Sequence, residues 1–253
     1  MRSTLLRNVA IGVTATALAV GWSVASAKAA THKTWHTCVS QATLRVGIYE
    51  FDNDLFDDAS GPSCITVKGN ALTIDRNYPA GGGDVVAYPA VRVGDYPYNR
   101  DVKSRLPEQV RKVKINVRMR NIGNASGSWI DDLDIWFSRR VATAPKHIRE
   151  VIIVDRWRGY GPIRGHTVVR IGHRRWYIAR GYTSNGVSSW PLIRFVARTQ
   201  TRRATISLAA FLKVAKRRRW IGSAMAVDSI SDGTECWSGC RGLTDLMRLT
   251  WDK

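Results

Sequence analysis

From residue 43 onward the chain is written almost entirely with a period of two. Apolar and polar residues alternate in short runs that end at Gly, Asn, Asp or Pro, the signature of strands with one covered face. The runs include "TLRVGIYEF" (43–51), "SCITVKG" (63–69), "ALTIDRN" (71–77), "DVVAYPAVRVG" (84–94) and "KVKINVRMRN" (112–121). They continue with "DDLDIWFSRR" (131–140), "IREVIIVDRW" (148–157), "HTVVRIG" (166–172), "RRWYIARGY" (174–182) and "PLIRFVAR" (191–198), and close with "SAMAVDSIS" (223–231) and "LTDLMRLTW" (243–251). One segment breaks the period. In "ISLAAFLKVAKRRRWIG" (206–222), Leu208, Phe211, Leu212 and Ala215 recur at helical spacing, with Ser207 as N-cap and Gly222 as stop. This predicts one amphipathic helix of about 13 residues, with "KRRR" as its solvated, dipole-complementing end. Many strands, one helix, no internal repeat and no linker predict an all-β fold. The expected form is a two-sheet antiparallel β-jelly-roll sandwich of the concanavalin type, with one sheet bent into a concave cleft.

Residues 1–29 read as an address. Arg2 and Arg7 precede an uncharged, largely apolar stretch from Val9 to Val24, and "ASA" (25–27) and "AKA" (27–29) are small-x-small cleavage sites. A removed signal peptide is expected, leaving a single secreted, extracellular domain at 30–253. No later segment is apolar enough to span a bilayer, so no membrane association is expected after cleavage. Cys38, Cys64, Cys236 and Cys240 form two sequence-local pairs, and an oxidising compartment allows both to close. Four cysteines permit three connectivities. Cys38–Cys64 with Cys236–Cys240 is favoured, and the alternative for the second pair is a strained or open state, since few residues intervene. No histidine sits at ligand spacing from either pair, which argues against zinc. There is no phosphate loop and no G-x-S-x-G, so neither metal nor cofactor is expected.

The chain has 39 Lys and Arg against 20 Asp and Glu, a net charge of +19. Such a surface associates non-specifically with polyanions, an anionic cell wall among them. The arginines lack the aromatic interleaving of a stacking surface, so nucleic acid is not an expected partner. A monomer is expected.

Three carboxylates stand where chemistry is possible. Glu150 opens "EVIIV" and shares a face with Ile152 and Val154, either as a solvated strand end or as a deliberate placement. Asp134 shares a face with Asp132 and Trp136, while Leu133 and Ile135 point inward. If 131–138 pairs with 148–155, Asp134 approaches Glu150 across the ladder, and each perturbs the other's titration. Glu235 follows Ser229, Ser231 and Gly233 on one face, and these small side chains leave room for a ligand.

"DIWF" (134–137), "EVIIV…GYGPI" (150–163) and "GTE" (233–235) together resemble glycoside hydrolase family 12, the small retaining endo-β-1,4-glucanases and xyloglucanases. That family's patterns run "YDIW", "EIMIW…GPI" and "GTEP". "YEFDNDLFDDASGPSCITV", "AYPAV", "RRWYIARG" and "FVA" resemble further stretches in the same order, so the likeness covers about residues 36–251. The resemblance implies a double displacement at a β-glycosidic bond of a β-glucan or xyloglucan. Glu150 falls on the nucleophile, Glu235 on the acid/base and Asp134 on the aspartate that supports the nucleophile. It also implies Cys38–Cys64 as the N-terminal disulfide. Phe56 falls on a cleft tryptophan, with Asn53 and Asp54 nearby for sugar hydroxyls; ordinary core is the other reading of Phe56. Trp136, Ile152 and Val154 complete the expected substrate face.

Departures from the pattern accompany the matches. Ile152 and Val154 stand where the family carries Met and Trp, and "NNxWG" has become "NDLFD". Arginines at 139, 140, 149, 156, 158 and 164 are expected to flank the cleft, with Arg149 beside Glu150 lowering its pKa, and they suggest an acidic or substituted polysaccharide. The alternative function is a non-catalytic binder of carbohydrate or anionic wall polymer on the same sandwich.

Overall fold

The computed structural model describes residues 34–56, 63–79, 84–94, 114–139, 147–159, 167–184 and 189–251, all within one compact unit, Thr31–Lys253. Residues 1–29, expected to be a signal peptide, Arg140, Arg164 and residues 160–163 of "GYGPI" lie outside the described residues.

Alternation along the chain becomes two stacked sheets. The smaller has the order β1 (Trp35–Thr37), β4 (Ile65–Lys68), β5 (Ala71–Ile74), β15 (Thr244–Trp251), β7 (Ile115–Ile122) and β13 (Arg203–Ser207). The larger has nine strands, in the order β10 (Thr167–Ile171), β11 (Arg174–Ser184), β12 (Ser189–Ala197), β9 (Ile148–Arg158), β8 (Trp129–Arg139), β14 (Met225–Cys236), β6 (Ala90–Gly94), β3 (Tyr49–Asn53) and β2 (Ala42–Val46). The all-β sandwich with one helix is thus as the sequence predicts. "TLRVGIYEF" is two strands folded about Gly47, which takes φ +62, a left-handed turn that suits glycine.

One pair departs from an antiparallel plan: β12 runs parallel to β9, with Leu192 opposite Glu150 and Arg194 opposite Ile152. The hairpin β10–β11 lies between them in sequence and forms the sheet edge, which sends the chain back in the same direction.

The inner faces of the two sheets interdigitate. Leu133, Ile135 and Phe137 from β8, Val151 and Ile153 from β9, and Ile193 and Phe195 from β12 are fully buried against Ile65, Leu72, Ile115 and Val117 from the smaller sheet. The helix α1 (Leu208–Arg217) is shorter than expected, and Ser207 makes no side-chain cap. Its anchor is Phe211, whose ring meets Trp176 and Phe195 edge-on at centroid distances of 4.9 and 5.1 Å. Truncating such a fully packed aromatic typically costs about 3–5 kcal/mol. Tertiary packing, and not a cap, therefore sets where the helix begins. Among the described residues no helix is long and apolar enough to cross a membrane.

Candidate active site

The side chains that point away from the core line the open face of the larger sheet. Strand period puts Glu150, Ile152 and Val154 of β9, Trp136, Asp134, Asp132 and Ile130 of β8, and Ser229, Ser231, Gly233 and Glu235 of β14 on that face. The register is explicit: Trp136 stands opposite both Glu150 and Ser229, Asp134 opposite Ile152 and Ser231, and Ile130 opposite Glu235. Glu150 and Glu235 thus meet the shared strand β8 at rungs six residues apart, about 20 Å along a flat ladder. Both nevertheless line one cleft of about 850 Å³, together with Asp134, Trp136 and Trp190. The charge of Glu235 accordingly acts on Glu150.

Two tryptophans hold two of the acids. Trp136 Nε1 donates to Asp134 Oδ2 and Trp190 Nε1 donates to Glu150 Oε2, each at 2.5 Å. The rings tilt against each other with centroids 5.1 Å apart. Burial pushes the Glu150 carboxyl up to about 7; the Trp190 N–H opposes this, the Glu235 charge adds to it and Arg194 opposes it. Burial likewise pushes Glu235 up to about 7, opposed by Arg194. Asp134 is held well above the usual carboxylate range, by burial first and then by Glu150. Asp132 is pushed the same way by burial, with the Glu235 charge next, and neither of its oxygens has a hydrogen-bond partner. Glu150 alone of the glutamate pair receives an indole N–H, which favours its ionised form.

Of the other residues proposed from sequence, Asp54, Phe56 and Trp136 line the cleft, and Phe56 is 57 % exposed, so it is not core. Asn53 does not line it. Its side chain is fully buried, donates to Val39 O and Ser63 O, and accepts from Ser63 Oγ, so it ties the N-terminal segment to the sheet. Ile152 and Val154 are on the cleft face but buried with Ile130 and Val196 beneath Trp157, Tyr177, Leu192 and Trp237, and are not an open platform. Arg149 is not beside the Glu150 carboxyl, because adjacent strand residues point to opposite faces; it faces Arg180 and Arg139. Arg156 is likewise inside, paired with Asp131 at 3.1 Å. The cation felt by Glu150 and Glu235 is Arg194, which a sequence reading had no means to select because the parallel β12–β9 pairing places it. Trp190, Thr183 and Ser184 also line the cleft from segments that carry no local motif, and Tyr88 lines it from "AYPAV".

Both disulfides are present, Cys38–Cys64 and Cys236–Cys240. The second closes a loop directly after Glu235. That loop docks through Trp237 N and Ser238 N to Ser128 O, and through Gly239 to Tyr78. Gly127 (φ +86) and Gly239 (φ +78) allow the approach: a Cβ on either would stand about 2.1–2.2 Å from the facing carbonyl oxygen. Glu235 is therefore mounted between a strand and a tightly seated loop. The His36 imidazole and the sulfurs of Cys38 and Cys64 do cluster, but the disulfide occupies both sulfurs.

No protein-family sequence model matches the chain, and no curated protein matches it by sequence. Solved structures do match. An endoglucanase of glycoside hydrolase family 12 derived from a metagenome superposes with a TM-score of 0.75 at 24% identity, covering 87% of this chain and 98% of its own. An endoglucanase from Rhodothermus marinus gives 0.73 at 24% identity, over 87% and 99%, and a family 12 xyloglucanase from Bacillus licheniformis 0.74 at 20% identity, over 86% and 100%. The fold is that of the family 12 glycoside hydrolases. At these identities the likeness carries the family 12 architecture, and the chemistry has to be argued from the cleft.

Proposed function

We propose that the protein is a secreted, retaining endo-β-glycosidase acting on β-1,4-linked polysaccharide. The observation that carries the reading is the environment of two glutamates in one cleft: both are raised by burial, and only Glu150 has a donor that favours its charge. Two such carboxyls can divide the roles of nucleophile and acid, and the indole N–H favours the charge on Glu150. Ionised Glu150 attacks the anomeric carbon while Glu235 gives its proton to the departing glycosidic oxygen, which breaks the C1–O bond and leaves a glycosyl ester on Glu150. Glu235, now ionised, takes a proton from water; the hydroxide adds to C1, and Glu150 leaves as carboxylate. Trp190 steadies Glu150 throughout, and Asp134 stands on the neighbouring rung, held by Trp136. The leader-like N-terminus and the two disulfides support export.

The test is release of reducing ends from barley β-glucan, xyloglucan and hydroxyethylcellulose by wild type, Glu150→Gln and Glu235→Gln. Both substitutions are expected to lower kcat by at least about 10³-fold, and NMR of the first-formed product should show the β-anomer. Sedimentation with polymer but no cleavage of any substrate by wild type would leave only a binding protein.

A further inference from the structure

The described lining of the cleft is rich in acidic side chains, although the chain as a whole is basic. Asp54, Asp84, Asp134, Glu150 and Glu235, five of the chain's 20 acidic residues, line it, and none of its described lining residues is Lys, Arg or His. Of the arginines expected to flank it, Arg139, Arg149, Arg156 and Arg158 are not in that lining, and Arg140 and Arg164 lie outside the described residues. Arg194 acts on Glu150 and Glu235 from outside the lining, and Arg92 is paired with Glu50 and Asp52. A glycosidase of the proposed kind uses two of the five acids for bond cleavage, with Asp134 beside the nucleophile. Asp54 and Asp84 are surplus to that chemistry.

Their placement is specific. Phe56 N donates to Val86 O at 2.9 Å and Tyr88 N to Asp54 O at 2.8 Å, so the chain around Asp54–Phe56 runs beside that around Asp84–Tyr88. The exposed Phe56 ring shares this wall of the cleft with both carboxylates, a platform for a sugar ring with acidic groups close by. A second observation comes from the floor. Asp134 lines the site and is buried; its Oδ2 accepts from Trp136 Nε1, and its Oδ1 has no hydrogen-bond partner. An acceptor in that condition calls for a donor from the ligand.

We propose that the preferred substrate is a β-1,4-linked polymer of glucosamine with free amino groups, its ammonium groups read by Asp54 and Asp84 while its rings pack on Phe56. In a β-1,4 chain successive residues are turned by about half a rotation, so their C2 substituents project to alternate edges, which suits carboxylates spread along a groove. Asp54 Oδ1 already accepts from Gln41 Nε2 at 2.6 Å; a neutral glucan adds only hydroxyls at these positions, where an ammonium adds opposite charge, a gain that grows in a partly desolvated cleft. The net charge of +19 does not forbid this. Exposed charges more than about 8 Å away are screened at physiological salt.

This inference rests on the hydrolase reading, and its test separates the two. Calorimetric binding of glucosamine tetramer, cellotetraose and tetralysine is measured on Glu150→Gln at about pH 6, where amines are cationic. Asp54→Asn and Asp84→Asn are then added singly. The glucosamine tetramer is expected to bind at least about tenfold more tightly than cellotetraose, and each Asn substitution to cut that ratio severalfold. Because the protein as a whole is cationic, non-specific attraction cannot produce this preference. Equal or weaker binding than cellotetraose overturns the inference, as does tetralysine binding just as tightly, which would show charge attraction without sugar recognition. Wild type that cleaves β-glucan but shows no such preference removes only this inference. A preference without cleavage of either polymer removes the hydrolase reading and keeps the amino-sugar site.

Discussion

Trp190 donates its indole N–H to Glu150 Oε2 at 2.5 Å across the parallel strand pair of the larger sheet, β12 on β9. The bond reaches the charged form of a carboxyl that burial otherwise pushes up to about 7. Removing the donor in Trp190→Phe leaves only Arg194 opposing that burial, so Glu150 must hold its proton to higher pH. The acid limb of the pH–activity profile is therefore expected to move upward while the basic limb, set by Glu235, stays. A hydrogen bond to a charged group is worth about 1.5–3 kcal/mol, so kcat/KM below pH 6 should fall about tenfold or more. An unmoved acid limb would show that Trp190 does not set the ionisation of Glu150.

Arg194 makes a contrasting case, because its charge opposes the rise at both Glu150 and Glu235. Arg194→Met should raise both carboxyls together. The bell is then expected to travel toward alkaline pH as a whole, keeping its width, by about half a unit to one unit, since a nearby cation lowers an acid's pKa by about that much or more. Rate profiles of the two variants side by side distinguish a donor to one acid from a cation shared by two. A narrowed bell in Arg194→Met would contradict the shared role.

The difference between these two residues marks what the sequence makes legible. Alternation alone predicts the strands, the sandwich and the face on which Glu150, Asp134 and Glu235 lie, because each is a local property with a period of two. Trp190 and Arg194 are invisible at that level: their positions depend on β12 returning parallel to β9, a pairing set by the path of the β10–β11 hairpin. Arg149 fails for the converse reason, since nearness in sequence to Glu150 puts it on the opposite face. Asn53 next to Asp54 repeats the lesson, one side chain turned into the protein and the other into the cleft.

Stability should decline as pH rises, the reverse of most carboxylate-dependent folds. Asp131 and Asp155 are raised from 3.8 to about 6 by burial, against the opposing charges of Arg156 and Arg174. Asp232 and Asp245 are raised well beyond the usual range, by burial and then by neighbouring carboxyls. Between pH 4 and the raised values the folded chain holds more protons than the unfolded one, so the unfolding free energy falls with pH. At 1.36 kcal/mol per unit, the loss between pH 4.5 and 7 is of the order of a few kcal/mol. Urea midpoints measured across that interval are expected to fall steadily; a flat or rising series would mean these acids are ionised at no cost in the native state.

Gly233 tests how closely the strand that carries Glu235 is fitted against its neighbour. It stands opposite Ala90 on β6 and Asp132 on β8. A Cβ there would meet Ala90 Cβ at 2.7 Å, Pro89 O at 2.8 Å and Tyr88 Cε2 at 2.9 Å. The backbone oxygen cannot swing aside, so Gly233→Ala must open the β14–β6 pair or displace Tyr88 from the cleft. Overpacking of this kind costs about 1–3 kcal/mol, readable as a lowered urea midpoint. Since Glu235 is two residues further along the same strand face, activity should fall more than the loss of folded protein accounts for. Full specific activity per folded molecule would show that the acid's position does not depend on this contact.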